Sequence, residues 1–226
     1  MKALAIDCAV SKIAIAAKDD EKSVKLIYDI GIRQSEKLLP AIDFVMQELQ
    51  LAPSQLDYCC LTLGPGTFTG LRLGLSTLKA LTLACGVPVY GIPSLEAYAW
   101  PFAGAESVVS LLAAKEDEYF YQFFSNGKAL TDVDDKAGSD IAGLLSTERR
   151  TIAAGPAAAV FVEGVRESAP LVLLESYDKG ADCTDALFAL AERKRASGEK
   201  ALEDYDGPLY VRKSEAELVL EAKLRT

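Results

Sequence analysis

The chain has no histidine among its 226 residues. That absence removes both the usual acid–base group of neutral pH and the commonest metal ligand. Catalysis would have to rest on carboxylates, lysine, cysteine or hydroxyls. Positive charge is short as well: 24 Lys and Arg stand against 33 Asp and Glu, a net charge of −9. Phosphate affinity comes mainly from basic side chains that displace counterions, so a surface that grips nucleic acid by itself is disfavoured. The cysteines (Cys8, Cys59, Cys60, Cys85 and Cys183) form no C-x-x-C pair and leave an odd count. Zinc spacing and a secreted disulfide scaffold are both unsupported. No apolar run approaches the roughly 18 residues that span a bilayer. The opening Met1–Ile6 stretch meets Asp7 too soon to be a signal-peptide core. A soluble, cytoplasmic protein that does not engage a membrane is the expectation.

What is present suits a folded α/β protein. Half of the residues are hydrophobic and a quarter charged, enough for a large core in one domain or two lobes. Short apolar runs at Ala3–Ile6, Ile13–Ala17 and Val24–Ile30 predict three opening strands. A helix follows over about Ser35–Gln50, with Pro40 expected to kink its first turns or confine regular helix to the later part. Tyr58–Leu63 is a strand apolar enough to be buried on both faces. The turn Gly64-Pro65-Gly66-Thr67-Phe68-Thr69-Gly70 leads into a second helix, about Leu71–Cys85, that Gly86 and Pro88 should stop. Val89–Ile92 is another strand, and Ser94 is placed to cap a short helix to Trp100.

After residue 106 the scheme restarts. Val108–Ala113 and Glu118–Phe124 read as paired strands, and Asn126-Gly127 as a turn. A helix near Ser139–Leu145, strands at Thr151–Ala153 and Leu171–Leu174, and a helix over Asp182–Ala196 follow. Both halves open with consecutive strands and then alternate helix with strand, which predicts two related α/β lobes, 1–105 and 106–226. Ser214-Glu215-Ala216-Glu217 matches a capping box, so 214–226 is expected to form a terminal helix that packs back on the first lobe.

Several local features have a chemical reading and a plainer one. A glycine-rich bend between strand and helix is where backbone N–H groups receive phosphate. The spacing here is neither G-x-G-x-x-G nor a Walker loop, so a tight bend with close helix–sheet approach is the better explanation. Asp7 ends the first strand, where a carboxylate could face Mg²⁺, or could equally accept N–H bonds from its own turn. Asp7, Gly64, Gly66, Thr67 and Gly70 are thus the candidate nucleotide-binding set. Cys59-Cys60 should point to opposite faces of a strand as buried small hydrophobes. Lys115-Glu116-Asp117-Glu118 reads as a charged hairpin turn, and Glu203-Asp204-Tyr205-Asp206 as a solvated loop. The leucines of the second helix (Leu71, Leu73, Leu75, Leu78, Leu81, Leu83) are spread around its whole circumference. A helix apolar all round must be covered on all sides, by the second lobe or by a partner.

Three segments carry a resemblance. Arg33-Gln34-Ser35-Glu36-Lys37-Leu38-Leu39-Pro40 resembles an R-x-H-S-E-x-L-L-P helix entry. Residues 64–81, beginning Gly64-Pro65-Gly66-Thr67-Phe68-Thr69-Gly70-Leu71-Arg72, resemble a G-P-G-S-F-T-G-L-R-I-G-L-A-T-A-K-G-L core, and Gly91-Ile92-Pro93-Ser94-Leu95 a G-V-S-S-L turn. These are motifs of the TsaB (YeaZ) family, and the match is close over residues 1–100. Beyond them only Pro208-Leu209-Tyr210-Val211-Arg212 is similar, to a P-x-Y-L-R ending. The resemblance implies a two-lobed actin/hexokinase-like (RNase H-like) fold with a mixed sheet and helices in each lobe. It also implies a non-catalytic subunit of the machinery that places threonylcarbamoyl on N6 of adenosine 37 in ANN-decoding tRNAs. TsaD would be the heterodimer partner and TsaE a recruited ATPase; the chain alone would form a homodimer, and tRNA would be met only through the complex. No catalytic residue, metal or cofactor of its own is implied, with ATP or ADP only at the interface with partners. The family pairs through its first two helices, which carries the partner role onto Arg33, Ser35, Glu36, Leu39, Ile42, Met46, Leu71, Arg72, Leu75, Leu78 and Thr82. TsaD's H-x-x-x-H metal motif has no counterpart in a chain without histidine. Gln34 replaces a family histidine, Ala113 and Lys115 an Asp and an Arg, and Cys8-Ala9 a Thr-Ser turn. The alternative is an ATP-dependent phosphotransferase or ATPase of the same superfamily, using Asp7 and the Gly64–Gly70 turn; a peptidase finds no group to activate water.

Overall fold

In a computed structural model, which describes residues 1–31, 33–176 and 182–211, the opening strands form an antiparallel meander. They are β1 (Lys2–Asp7), β2 (Lys12–Asp19) and β3 (Lys22–Asp29). β4 (Tyr58–Gly64) pairs with β1 in parallel and β5 (Val89–Pro93) with β4, giving the order β3-β2-β1-β4-β5. Central β4 is buried at every residue, the reason its sequence is nearly all apolar. Cys59 and Cys60 do face opposite sides, each into a different core.

Helix α1 (Gln34–Glu48) packs Leu38, Ala41, Ile42, Val45 and Met46 onto one face of this sheet. Pro40 lies inside α1 without confining it to the later part. Its ring is on the exposed side, where the Glu36 carbonyl that loses an N–H partner faces solvent instead of core. Beside it α2 (Phe68–Cys85) begins three residues earlier than expected and ends at Gly86, whose φ of 71° closes the helix in the left-handed region. Ser94 does not cap the next helix, α3 (Ser94–Ala99); Pro93 precedes it, and the Ser94 hydroxyl accepts the Gly64 N–H at 3.2 Å instead. A tight turn over Trp100–Phe102 follows.

The second lobe repeats the path. Strands β6 (Val108–Ala113), β7 (Glu118–Ser125), β8 (Lys128–Ala129), β10 (Thr151–Ala154) and β11 (Leu174–Ser176) run β11-β10-β6-β7-β8, and β9 (Asp134–Ala137) pairs with β7. The Asn126-Gly127 turn has both residues at positive φ, 47° and 72°, as a two-residue hairpin needs. Helix α4 is only Gly138–Ala142, shorter than expected, and the strand expected at Leu171–Leu174 is Leu174–Ser176. Helix α5 (Ala158–Ser168) was not anticipated, although Ala158, Phe161, Val162 and Val165 keep a helical spacing toward the core.

Helix α6 (Thr184–Ala196) corrects the lobe boundary. Its Ala186, Leu187, Leu190 and Ala191 share a core with Ala3, Ala5 and Cys60 of the first sheet and with Val108 and Leu112 of the second. The layers therefore run α1/α2, first sheet, α3/α6, second sheet, α4/α5. The chain then returns along the first lobe: Leu202 N donates to Val89 O at 2.7 Å and Leu209 N to Leu63 O at 2.8 Å. Residues 184–211 are thus bound to the first lobe's sheet, with α6 filling the layer it shares with the second sheet. The expected helix over 214–226, and Arg212, fall outside the described residues. Among the described residues no helix is long and apolar enough to cross a membrane.

Candidate functional site

Two places were candidates: the Asp7 and glycine-turn end of β1 and β4, and the surface of α1 and α2. At the first, Asp7 is 1% exposed. Its Oδ1 accepts from the Ala9 N–H and the Thr62 hydroxyl, both at 3.0 Å. Its Oδ2 accepts from the Tyr98 hydroxyl at 2.6 Å and the Cys183 thiol at 3.4 Å. Burial pushes the carboxyl above the ordinary aspartate value, and the bonds from Tyr98, Ala9, Thr62 and Cys183 only partly oppose it. With about four acceptor directions on a carboxylate, all are spent within the chain.

The glycine turn is equally occupied. A methyl added at Gly66 would lie 2.5 Å from the Ala9 carbonyl oxygen, and one at Gly70 2.1 Å from that of Cys8. The Thr67 N–H, at the entry to α2, already donates to Ala9 O at 2.7 Å. The glycines thus let the start of α2 press against the β1–β2 turn, as their spacing favoured. Gln34, 7% exposed, seals the same corner, its Nε2 donating to Val10 O at 2.7 Å and Ser11 O at 2.9 Å. The sequence brings Asp7, Gly66, Thr67 and Gly70 together correctly, but as a packed joint.

The helix pair divides the partner candidates. Ile42, Met46, Leu71, Leu75 and Leu78 are between 0% and 8% exposed, packed into the first lobe's core or against it. They serve the chain's own fold and are corrected from the partner set. Arg33, Ser35, Glu36, Leu39 and Arg72 are exposed and Thr82 half-buried; Arg33 and Glu36 pair with each other at 2.6 Å. Sequence reasoning left Phe44, 47% exposed, outside this set, and Leu83, which at 81% is almost bare. Leu83 was visible as part of the all-round leucine pattern, but which leucines pointed outward was not.

A third cover for α2 was not foreseen. Arg72 lies 3.6 Å over the Phe68 ring and its Nε donates to the Tyr210 hydroxyl at 2.8 Å, while Phe68 and Tyr210 stack. Lys79 Nζ donates to the carbonyls of Asp204 and Asp206, both at 2.6 Å. The supposed solvated loop at 203–206 is therefore tied to the flank of α2, its side chains still exposed. Between the lobes a cleft of about 390 Å³ is walled by Pro65, Pro93, Glu96, Phe124, Leu209 and Tyr210 among others. Its lining is mainly apolar. Among the described residues no three His, Cys, Asp or Glu side chains stand together to hold a metal ion.

Comparison with known proteins places this architecture. The family model described as TsaD: tRNA N6-adenosine threonylcarbamoyltransferase matches residues 32–166, more than half of the chain. The tRNA threonylcarbamoyladenosine biosynthesis protein TsaB of Escherichia coli is 27% identical over 134 residues, 56% of this chain and 58% of that protein. The chain belongs to this family, on its TsaB/YeaZ side. It is similar in fold to YeaZ from Pseudomonas aeruginosa, with a TM-score of 0.77 and 22% identity over 93% of this chain and 99% of the other. A Bacteroides thetaiotaomicron protein with an actin-like ATPase fold gives a TM-score of 0.50 at 11% identity, over 83% of this chain and 95% of the other. The fold is accordingly two-lobed, α/β and actin-like. The chain spans 42% to 58% of the length of the curated relatives it matches.

The actin-like fold raises the question of a bound nucleotide with its metal. The described residues do not fit one: among them the only buried carboxylate at the strand ends, Asp7, has its oxygens taken by Ala9, Thr62, Tyr98 and Cys183, and the glycine turn is filled by the chain's own carbonyls.

Proposed function

We propose that this chain is a non-catalytic subunit of the apparatus that forms threonylcarbamoyladenosine in tRNA, and that it works by pairing with a TsaD-type catalytic subunit. What carries this reading, beside the family, is the packed glycine turn, where the carbonyls of Cys8 and Ala9 press on Gly70 and Gly66 and the Thr67 N–H is already given to Ala9 O. An outward helix surface is then the feature left to act. It comprises Arg33, just before α1, and Ser35, Glu36 and Leu39 of α1, with Arg72, Thr82 and Leu83 of α2. The acidic balance of the chain fits a subunit that leaves the tRNA backbone to its partner. A TsaE-type ATPase would join the pair, any ATP or ADP would sit at the shared interface, and the chain alone would close a homodimer through the same helices. The complex would act in the cytoplasm.

The test is reconstitution. Purified chain mixed with TsaD should co-elute in size-exclusion chromatography, hydrolyse ATP alone no faster than buffer, and restore threonylcarbamoyl transfer when TsaD and TsaE are present. A chain that stays monomeric beside TsaD would sink the reading. ATP turnover by the chain alone would favour a phosphotransferase of the same superfamily.

A further inference from the structure

Among the described residues Asp7 is the only charged side chain that is fully buried. Putting a carboxylate there is expensive unless donors converge on it, and removing a donor leaves the charge uncompensated. The origin of those donors is the informative point. Oδ1 holds the β1–β2 turn through Ala9 and the central strand β4 through Thr62. Oδ2 holds Tyr98 and Cys183. Tyr98 lies in α3, the segment by which the chain leaves the first lobe, and Cys183 immediately precedes α6, by which it comes back. Both crossings thus end on one oxygen of one side chain. They also lie in the layer shared by the two sheets, where Tyr98, Cys183 and Leu187 pack with Val108, Leu112 and Phe124.

Relative movement of two lobes is absorbed by the few residues that connect them. We infer that Asp7, at the strand end where this fold could present a cation ligand, is instead an interlobe latch that fixes both crossings to the first sheet and holds the lobes in one relative position. Thr62 and Tyr98 are positioning residues of the latch, and the joint is independent of whether the chain pairs with TsaD.

The experiment uses the full chain and two variants, Asp7→Asn and Tyr98→Phe, followed by thermal unfolding and by hydrogen exchange of the α6 amides. Asp7→Asn places an NH₂ donor among groups that themselves donate. Its Tm should fall by about 5–10 °C, with α6 exchanging about tenfold faster. Tyr98→Phe should give a smaller fall with the same pattern in α6, and the double variant should fall short of the sum because both break one joint. A carboxylate held in place for a ligand behaves oppositely, since replacing it relieves strain and leaves Tm unchanged or higher. An unchanged or raised Tm in Asp7→Asn would overturn the latch, as would Mg²⁺–ATP raising the wild-type Tm but not that of Asp7→Asn. Should Asp7→Asn fail to fold, Tyr98→Phe decides: faster exchange in α6 supports the latch and unchanged exchange overturns it.

Discussion

The two faces of the first sheet are both apolar, yet they are finished in different ways. On the α1/α2 side the helices bury one side each and turn the other outward, leaving Leu39, Phe44 and Leu83 bare. On the α3/α6 side a second sheet closes the layer, and polar groups are confined within it or at its rim. There Asp7 meets Tyr98, and Glu192 of α6 pairs with Lys18 while accepting the Tyr58 hydroxyl at 2.9 Å. A closed face can use directional bonds to fix one arrangement, because water does not compete for them. An open face keeps apolar side chains that gain only when something covers them. The contrast separates residues that hold the molecule together from residues free to hold something else.

The sharpest break of that contrast lies on the inward side of α2. Leu78 is 0% exposed, so Leu78→Asp should cost more than about 5 kcal/mol and leave no folded protein by circular dichroism. Pairing would be lost only because the fold is. Next comes Gly70→Ala, whose methyl would meet the Cys8 carbonyl oxygen at 2.1 Å; urea unfolding should show a loss of about 3 kcal/mol. Glu192→Gln should cost about 1 kcal/mol at pH 7. Burial would raise the Glu192 pKa, but hydrogen bonds from Lys18 and Tyr58 outweigh it and hold the group below its ordinary 4.5. Stability from a depressed carboxyl is present above that value and lost as pH falls through the folded one. The gap between wild type and Glu192→Gln should therefore narrow below about pH 4.5 and vanish in stronger acid; a gap constant from pH 7 to 3 would refute the pairing. Smallest in stability is Leu83→Asp on the bare side, expected within about 0.5 kcal/mol of wild type. Its effect should fall on association instead, with co-elution with TsaD lost. Retained co-elution would place the interface elsewhere.

Much of the first lobe was legible because its signals are local. Alternating apolar runs, the glycine bend and the Gly86 stop act over a few residues, and each element formed within a few positions of its expected place. The glycine bend was also rightly read as a close-packing device, from its spacing alone. In the second lobe β9 is Asp134-Asp135-Lys136-Ala137, a sequence with no strand propensity. It is a strand because β7 supplies a ladder, with Tyr119 opposite Lys136 and Tyr121 opposite Asp134. Helix α5 had a readable pattern but was hidden by the alanine-rich stretch before it and by Gly164 within it. Leu75 and Leu78 could not be told from Leu83 by type, only by which side of α2 met the sheet.

The amino-acid sequence alone determined the class of molecule: two α/β lobes, no histidine-based chemistry, and membership of a family recognisable from the Gly64–Leu81 core. Those conclusions depend on composition and on spacing within single elements, which the unfolded chain already carries. Tertiary structure decided where each group's bonding capacity went. It turned Asp7 from a possible ligand into a joint, carried α6 and the 202–211 segment back to the first lobe, and left Leu83 exposed while burying Leu78. A carboxylate or a leucine has the same chemistry anywhere in a sequence. Whether its oxygens or its surface remain available depends on which distant residues have already taken them.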